Sequence, residues 1–124
     1  MSSGFLQNIN FGLRRKLPMV YQSESAECGL ACVAMISGYH GRHVDLYELR
    51  AQSGMSSKGA RLSDLSRLAE HLAMVPRAVR VDLIELKQLT LPCVLHWDLN
   101  HFVVLRELTR NGAVIHDPAF GMRT

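Results

Sequence analysis

The sequence is short of cysteine, proline, aromatic residues and long apolar runs, and each shortage excludes something. Three cysteines among 124 residues are too few, and too odd in number, for a disulfide framework, which predicts a reducing compartment. The longest apolar run, Gly29–Ile36, falls far short of the roughly 18 residues that a membrane span needs. Four prolines and nine non-periodic glycines exclude a collagen-like or proline-rich chain. No secretory signal is expected, because Arg14-Arg15-Lys16 follows the first apolar residues and does not precede a long apolar stretch. Aromatics make up 6% and the formal charge is only +3, with its cations scattered, so a nucleic-acid partner is not expected.

What is present describes one folded domain. Apolar residues account for 48% and charged ones for 20%, an ordinary globular mix. Residues 1–17 read as an N-terminal arm, with Pro18 opening the domain proper over 18–124. From Ala26 to Ser37 the residues are small or apolar on every side, the pattern of a buried helix, with Gly38 and Gly41 as its stop signal. Asp45-Leu46-Tyr47-Glu48 opens a short second helix ending by Gly54. Leu62, Leu65, Leu68, Ala69 and Leu72 recur at helical spacing and give a third. A short strand is predicted around Ala78–Val81, followed by a cap-like Asp82-Leu83-Ile84-Glu85. Beyond Pro92, Cys93–Trp97, Phe102–Leu105 and Ala113–His116 are β-prone runs, with Asn111-Gly112 as a hairpin turn signal. Helices first and an antiparallel meander afterwards predict an α+β fold, with helices packed on an antiparallel sheet.

Cys28 is the most informative residue. It stands at the first turn of the buried helix after the polar Gln22-Ser23-Glu24-Ser25. The N–H groups and dipole of a helix N-terminus favour a thiolate, the form that acts as a nucleophile. The competing reading is a small buried hydrophobe, which is the reading preferred for Cys32 and Cys93. Among six histidines, His101 alone begins a strand just after the turn-like Asp98-Leu99-Asn100, where a catalytic base can project from a sheet rim. His40, His43 and His71 read as solvated, and His96 and His116 as core or surface residues of strands. Asp117 lies symmetric to His101 about residue 109, so a hairpin can set the two side by side. The Asn111-Gly112 signal conflicts with this, since it would pair Asp117 with Arg106; a longer loop or a bulge would reconcile them. Asp-Pro is also an ordinary turn starter. Gln22 can fold back toward the helix N-terminus and offer an amide to an oxyanion. A zinc site from Cys28, Cys32, His40 and His43 is disfavoured, because only seven residues separate the pairs.

The residues Gln22-Ser23-Glu24-Ser25-Ala26-Glu27-Cys28-Gly29-Leu30-Ala31-Cys32, with Met35 and Tyr39-His40-Gly41, resemble one cysteine motif. Pro92–Trp97, His101–Leu105, Asp117-Pro118-Ala119 and Gly121 resemble its second half. Together they are similar to the N-terminal cysteine peptidase domain of bacteriocin-processing ABC exporters that remove double-glycine leaders, especially those of the colicin V type. The resemblance implies a papain-like fold and cleavage after a Gly-Gly or Gly-Ala pair. It makes Cys28 the nucleophile, His101 the base, Asp117 the orienting residue and Gln22 the oxyanion donor. Gly59 is a further candidate, a wall where substrate backbone passes closely. The resemblance implies a cytoplasmic location at the bacterial inner membrane for the whole exporter and a soluble isolated domain. It implies a leader peptide and the exporter's transmembrane and nucleotide-binding domains as partners, and a chain that stops short of the family's domain end. ATP and magnesium are expected only in the full-length transporter, with neither cofactor nor metal in this domain. The alternative is a module that binds leader peptides without cutting them.

Overall fold

A computed structural model describes residues 15–53, 59–97 and 101–124. The predicted turn Asp98-Leu99-Asn100, the helix stop Gly54 and residues 1–14 of the arm lie outside the described residues. A 3₁₀ turn, Ser25–Glu27, runs into helix α1, Cys28–Tyr39. Helices α2 (Leu46–Ser53) and α3 (Leu62–His71) follow. Strands β1 (Cys93–Trp97), β2 (His101–Thr109), β3 (Gly112–Asp117) and β4 (Gly121–Arg123) form one antiparallel sheet in sequence order.

Helix α1 is buried along almost its whole length, as its uninterrupted apolar composition requires. It packs against Leu46 and Leu49 of α2, Leu65 and Leu68 of α3, Leu72, and Phe102 and Val104 of β2. Each such aliphatic or aromatic side chain contributes about 1.5–3 kcal/mol on burial, so α1 is the axis of the core. Gly29 lets the layers close on its first turn: a Cβ there would lie 3.0 Å from Leu65 Cδ2 and 3.3 Å from Phe102 Cδ2. Helix α2 begins as its sequence predicts, the Glu48 N–H donating to Asp45 Oδ1 at 2.8 Å.

The structure corrects the reading at three places. Residues 78–81 form no strand; Arg77 and Arg80 are exposed, Val79 is 55% exposed, and no described strand lies alongside to pair with. Residue type alone does not make a strand when the ladder hydrogen bonds have no acceptor. Asp82-Leu83-Ile84-Glu85, as its cap-like pattern predicts, opens a helical stretch, the 3₁₀ segment Leu83–Gln88, the Asp82 N–H donating to Glu85 Oε1 at 2.9 Å. The hairpin turn is Arg110-Asn111, with Thr109 paired to Gly112, one residue earlier than Asn111-Gly112 would place it. The third place is β4, which the sequence reading did not contain.

The hairpin register decides the site. From the turn, Leu108 pairs with Ala113 and Glu107 with Val114; the next pair is Leu105 with Ile115, then Val104 with His116. Arg106 is therefore the extra residue of a bulge. Had the ladder run on from the turn without it, Asp117 would face Val104, three residues from His101 and on the opposite side of the pleat. With the bulge, the register sets Asp117 opposite Val103, two residues from His101 and on the same side.

Candidate active site

His101 and Asp117 meet as this register requires: His101 Nε2 lies 3.0 Å from Asp117 Oδ1. Asp117 is 3% exposed, and its Oδ1 also accepts the Ala119 N–H at 2.9 Å. Its other oxygen, Oδ2, lies 3.9 Å from Arg123 Nη1 on β4. The carboxylate is thus fixed by its own Asp-Pro turn, which closes with the Phe120 N–H donating to the Asp117 carbonyl at 3.1 Å. A carboxylate so held takes the proton-bearing Nε2 of His101 and leaves Nδ1 as the basic nitrogen.

The same turn anchors Gln22. Its N–H donates to the Pro118 carbonyl at 3.1 Å, so the Gln22 loop and the Asp117 turn are one unit. Gln22 Oε1 is buried and makes no hydrogen bond within the described residues. Gly121 closes the unit at φ 105°, a conformation that calls for glycine, and a Cβ on it would also displace the Tyr21 hydroxyl, 2.8 Å away.

Cys28 is the first residue of α1 and is 5% exposed. Its successor Gly29 leaves room for the ring of Phe102, the successor of His101, so the head of α1 lies against the start of β2. Cys32, one turn deeper, is fully buried; burial holds its thiol well above the usual range, and the charges of Cys28 and Asp117 add to this. Burial also raises the Cys93 thiol. Both therefore stay protonated at neutral pH. At pH 7, iodoacetamide is expected to add one carbamidomethyl group to the folded protein, on Cys28, with Cys32 and Cys93 labelled only after denaturation. Intact-mass and peptide analysis check this.

Gly59 lies beside the head of α1, an added Cβ falling 3.6 Å from the Ala26 carbonyl oxygen. Its φ of 104° alone accounts for the glycine. The remaining histidines stay apart from this constellation. His40, His43 and His71 are exposed, and His96 stacks on Phe102 with ring centroids 4.3 Å apart. His116 is 1% exposed, with Nδ1 donating to the Pro18 carbonyl at 3.2 Å; burial lowers its pKa. Among the described residues, no three His, Cys, Asp or Glu side chains are grouped as a metal ion would need.

One residue of the site escaped the sequence reading. Glu27, 5% exposed, accepts the N–H groups of Ser23 and Glu24 on Oε1, at 3.1 and 3.2 Å, and pairs through Oε2 with Arg50 Nε of α2. Its signal in the sequence was the Glu24-x-x-Glu27 spacing of a capping box, which the structure contains. The Arg50 guanidinium, with those two N–H groups, holds the Glu27 carboxyl below the ordinary value against the opposing effect of burial.

The model of the peptidase C39 family matches residues 16–124. The probable microcin-H47 secretion/processing ATP-binding protein MchF of Escherichia coli is 48% identical over 118 residues, covering 95% of this chain and 17% of its own length. The colicin V secretion/processing ATP-binding protein CvaB of the same species is 49% identical over 110 residues, covering 89% of this chain and 16% of its own. The chain thus spans about a sixth of the length of these two relatives. Among solved structures, a double glycine motif protease from an AMS/PCAT transporter, in complex with the leader peptide, superposes with a TM-score of 0.82 at 35% identity. That match covers 89% of this chain and 79% of the other.

Proposed function

The chain belongs to the peptidase C39 family, with a papain-like α+β fold, and on that premise we propose that it cuts a double-glycine leader from a bacteriocin precursor by cysteine catalysis. The observation that carries the catalytic assignment is the His101–Asp117 hydrogen bond, set by a bulge and shared with the turn that anchors Gln22. The Cys28 thiolate attacks the carbonyl carbon of the second leader glycine. The oxyanion is received by the Gln22 side-chain amide and the Cys28 N–H at the head of α1. His101, steadied by Asp117, carries the proton of the thiol and delivers it to the leaving amine; water then attacks the thioester and releases the leader.

Gly59, where an added Cβ would fall 3.6 Å from the Ala26 carbonyl oxygen, forms a wall beside the nucleophile along which leader glycines pass. In this reading the domain serves an ABC exporter from the cytoplasmic face of the bacterial inner membrane, with the transmembrane and nucleotide-binding domains as its neighbours. ATP and magnesium act there and not at Cys28. No helix among the described residues is long and apolar enough to cross a membrane.

The test is a digest of a synthetic leader–cargo peptide with Gly-Gly at the junction, read by mass spectrometry. Two products split after the second glycine are expected. An intact peptide that co-elutes with the protein would instead establish a capture module without catalysis. In the same assay, Gln22→Ala is expected to lower kcat about 10²-fold, the usual effect of removing one oxyanion donor.

A further inference from the structure

We propose that Glu27 is a positioning residue for the reaction: its carboxylate pins the backbone that carries Gln22 to the first turn of α1 and, through Arg50, ties both to α2. This rests on the proposed roles of Cys28 and Gln22.

Gln22 is held from one side only by the Asp117 turn, through its own N–H. On the other side the chain must reverse from Gln22 into the 3₁₀ turn within two residues, which leaves the N–H groups of Ser23 and Glu24 pointing away from any strand or helix partner. Glu27 Oε1 takes both. A carboxylate oxygen accepting two backbone N–H groups makes charge-assisted bonds, roughly twice as strong as neutral ones. Because Glu27 immediately precedes Cys28 in the chain, the anchor fixes the Gln22 backbone against the nucleophile's own helix and not against a distant element.

Arg50 completes the device. Its side chain is 43% exposed while that of Glu27 is 6% exposed, so the pair reaches from the surface of α2 to the base of the Gln22 loop. The donor loop, the head of α1 and helix α2 are thus joined at one carboxylate. An oxyanion donor is effective only if its position is fixed before the charge develops, and a 1 Å displacement can cost about 10²-fold.

The experiment compares Glu27→Ala, Glu27→Gln, Arg50→Ala and the exchange Glu27→Arg/Arg50→Glu, measuring kcat and KM on the leader–cargo peptide. The rate of Cys28 alkylation is measured beside them, because alkylation forms no oxyanion. Glu27→Ala is expected to lower kcat about 30-fold, with KM within threefold and alkylation within twofold of wild type. Glu27→Gln keeps an oxygen for both N–H groups and is expected to retain kcat within fivefold. Arg50→Ala, on an exposed side chain, folds normally; without the guanidinium the Glu27 carboxyl titrates higher, so a loss of the size seen in Glu27→Gln, at most about fivefold, sets in at a higher pH than in wild type as acid is added. The exchange restores a charge pair but no acceptor for Ser23 and Glu24, and is expected to be as slow as Glu27→Ala.

A wild-type rate in Glu27→Ala, a parallel loss of alkylation, or rescue by the exchange would each overturn the proposal. Should Glu27→Ala fail to fold, Glu27→Gln and Arg50→Ala decide alone: a normal acid limb in Arg50→Ala, or a 30-fold loss in Glu27→Gln, refutes it. Gln22→Ala separates the two levels. If Gln22→Ala is slow and Glu27→Ala is not, only the positioning role falls; a wild-type domain that cleaves nothing removes the reading beneath it.

Discussion

Cys28→Ala is expected to abolish leader cleavage, a loss of at least about 10⁴-fold, while leaving a folded protein that still binds the peptide. The size follows from the chemistry. Neither of the other cysteines can take its place: Cys32 is fully buried a turn deeper with its thiol held protonated, and Cys93 lies on β1. Folding is expected to survive because Cys28 is a small side chain at the rim of the core. Losing its sulfur costs on the order of 1 kcal/mol, a shift in Tm of a few degrees. Cys28→Ser is expected to be nearly as inactive, since an imidazole cannot hold a hydroxyl ionised as it holds a thiol. Fluorescence anisotropy with a labelled leader separates the two functions of the site. Undiminished binding with no cleavage is the expected result, and turnover by Cys28→Ala above about 1% of wild type would show that another residue is the nucleophile.

The sequence made some of this site legible and hid the rest for physical reasons. Cys28 could be read because a helix apolar on all sides, preceded by polar residues, announces both its burial and its N-terminus. His101 and Asp117 could be matched by symmetry about residue 109, but the turn dipeptide argued against them. What brought them together was a turn one residue earlier than that dipeptide and a bulge at Arg106, and a bulge leaves little trace in one sequence because it is chosen by the packing on both sides of the strand. The strand expected at Ala78–Val81 failed for a related reason: pairing is a property of the neighbour. Strand β4 was missed because it spans only three residues, Gly121–Arg123, and pairs with β3 after the turn that fixes Asp117. Glu27 went unnoticed because its role depends on Arg50, 23 residues away. In each case the local chemistry was visible and the partner was not.

That dependence on a partner gives the second large effect. Asp117→Ala is expected to lower kcat about 10³-fold, whereas Asp117→Asn is expected to cost only about tenfold. The order follows from which oxygen does the holding. Oδ1 alone accepts both the His101 ring N–H and the Ala119 N–H, while Oδ2 faces Arg123 at 3.9 Å. An asparagine can place its carbonyl oxygen where Oδ1 stands and keep both bonds, with its amide turned toward the Arg123 side. It preserves the tautomer and orientation of His101 and loses only the negative charge that favours an imidazolium. Alanine loses all three and also frees the turn on which Gln22 is anchored, so its effect exceeds the loss of one hydrogen bond. Equal losses in Asp117→Ala and Asp117→Asn would mean that charge, and not the geometry held by Oδ1, is what Asp117 supplies.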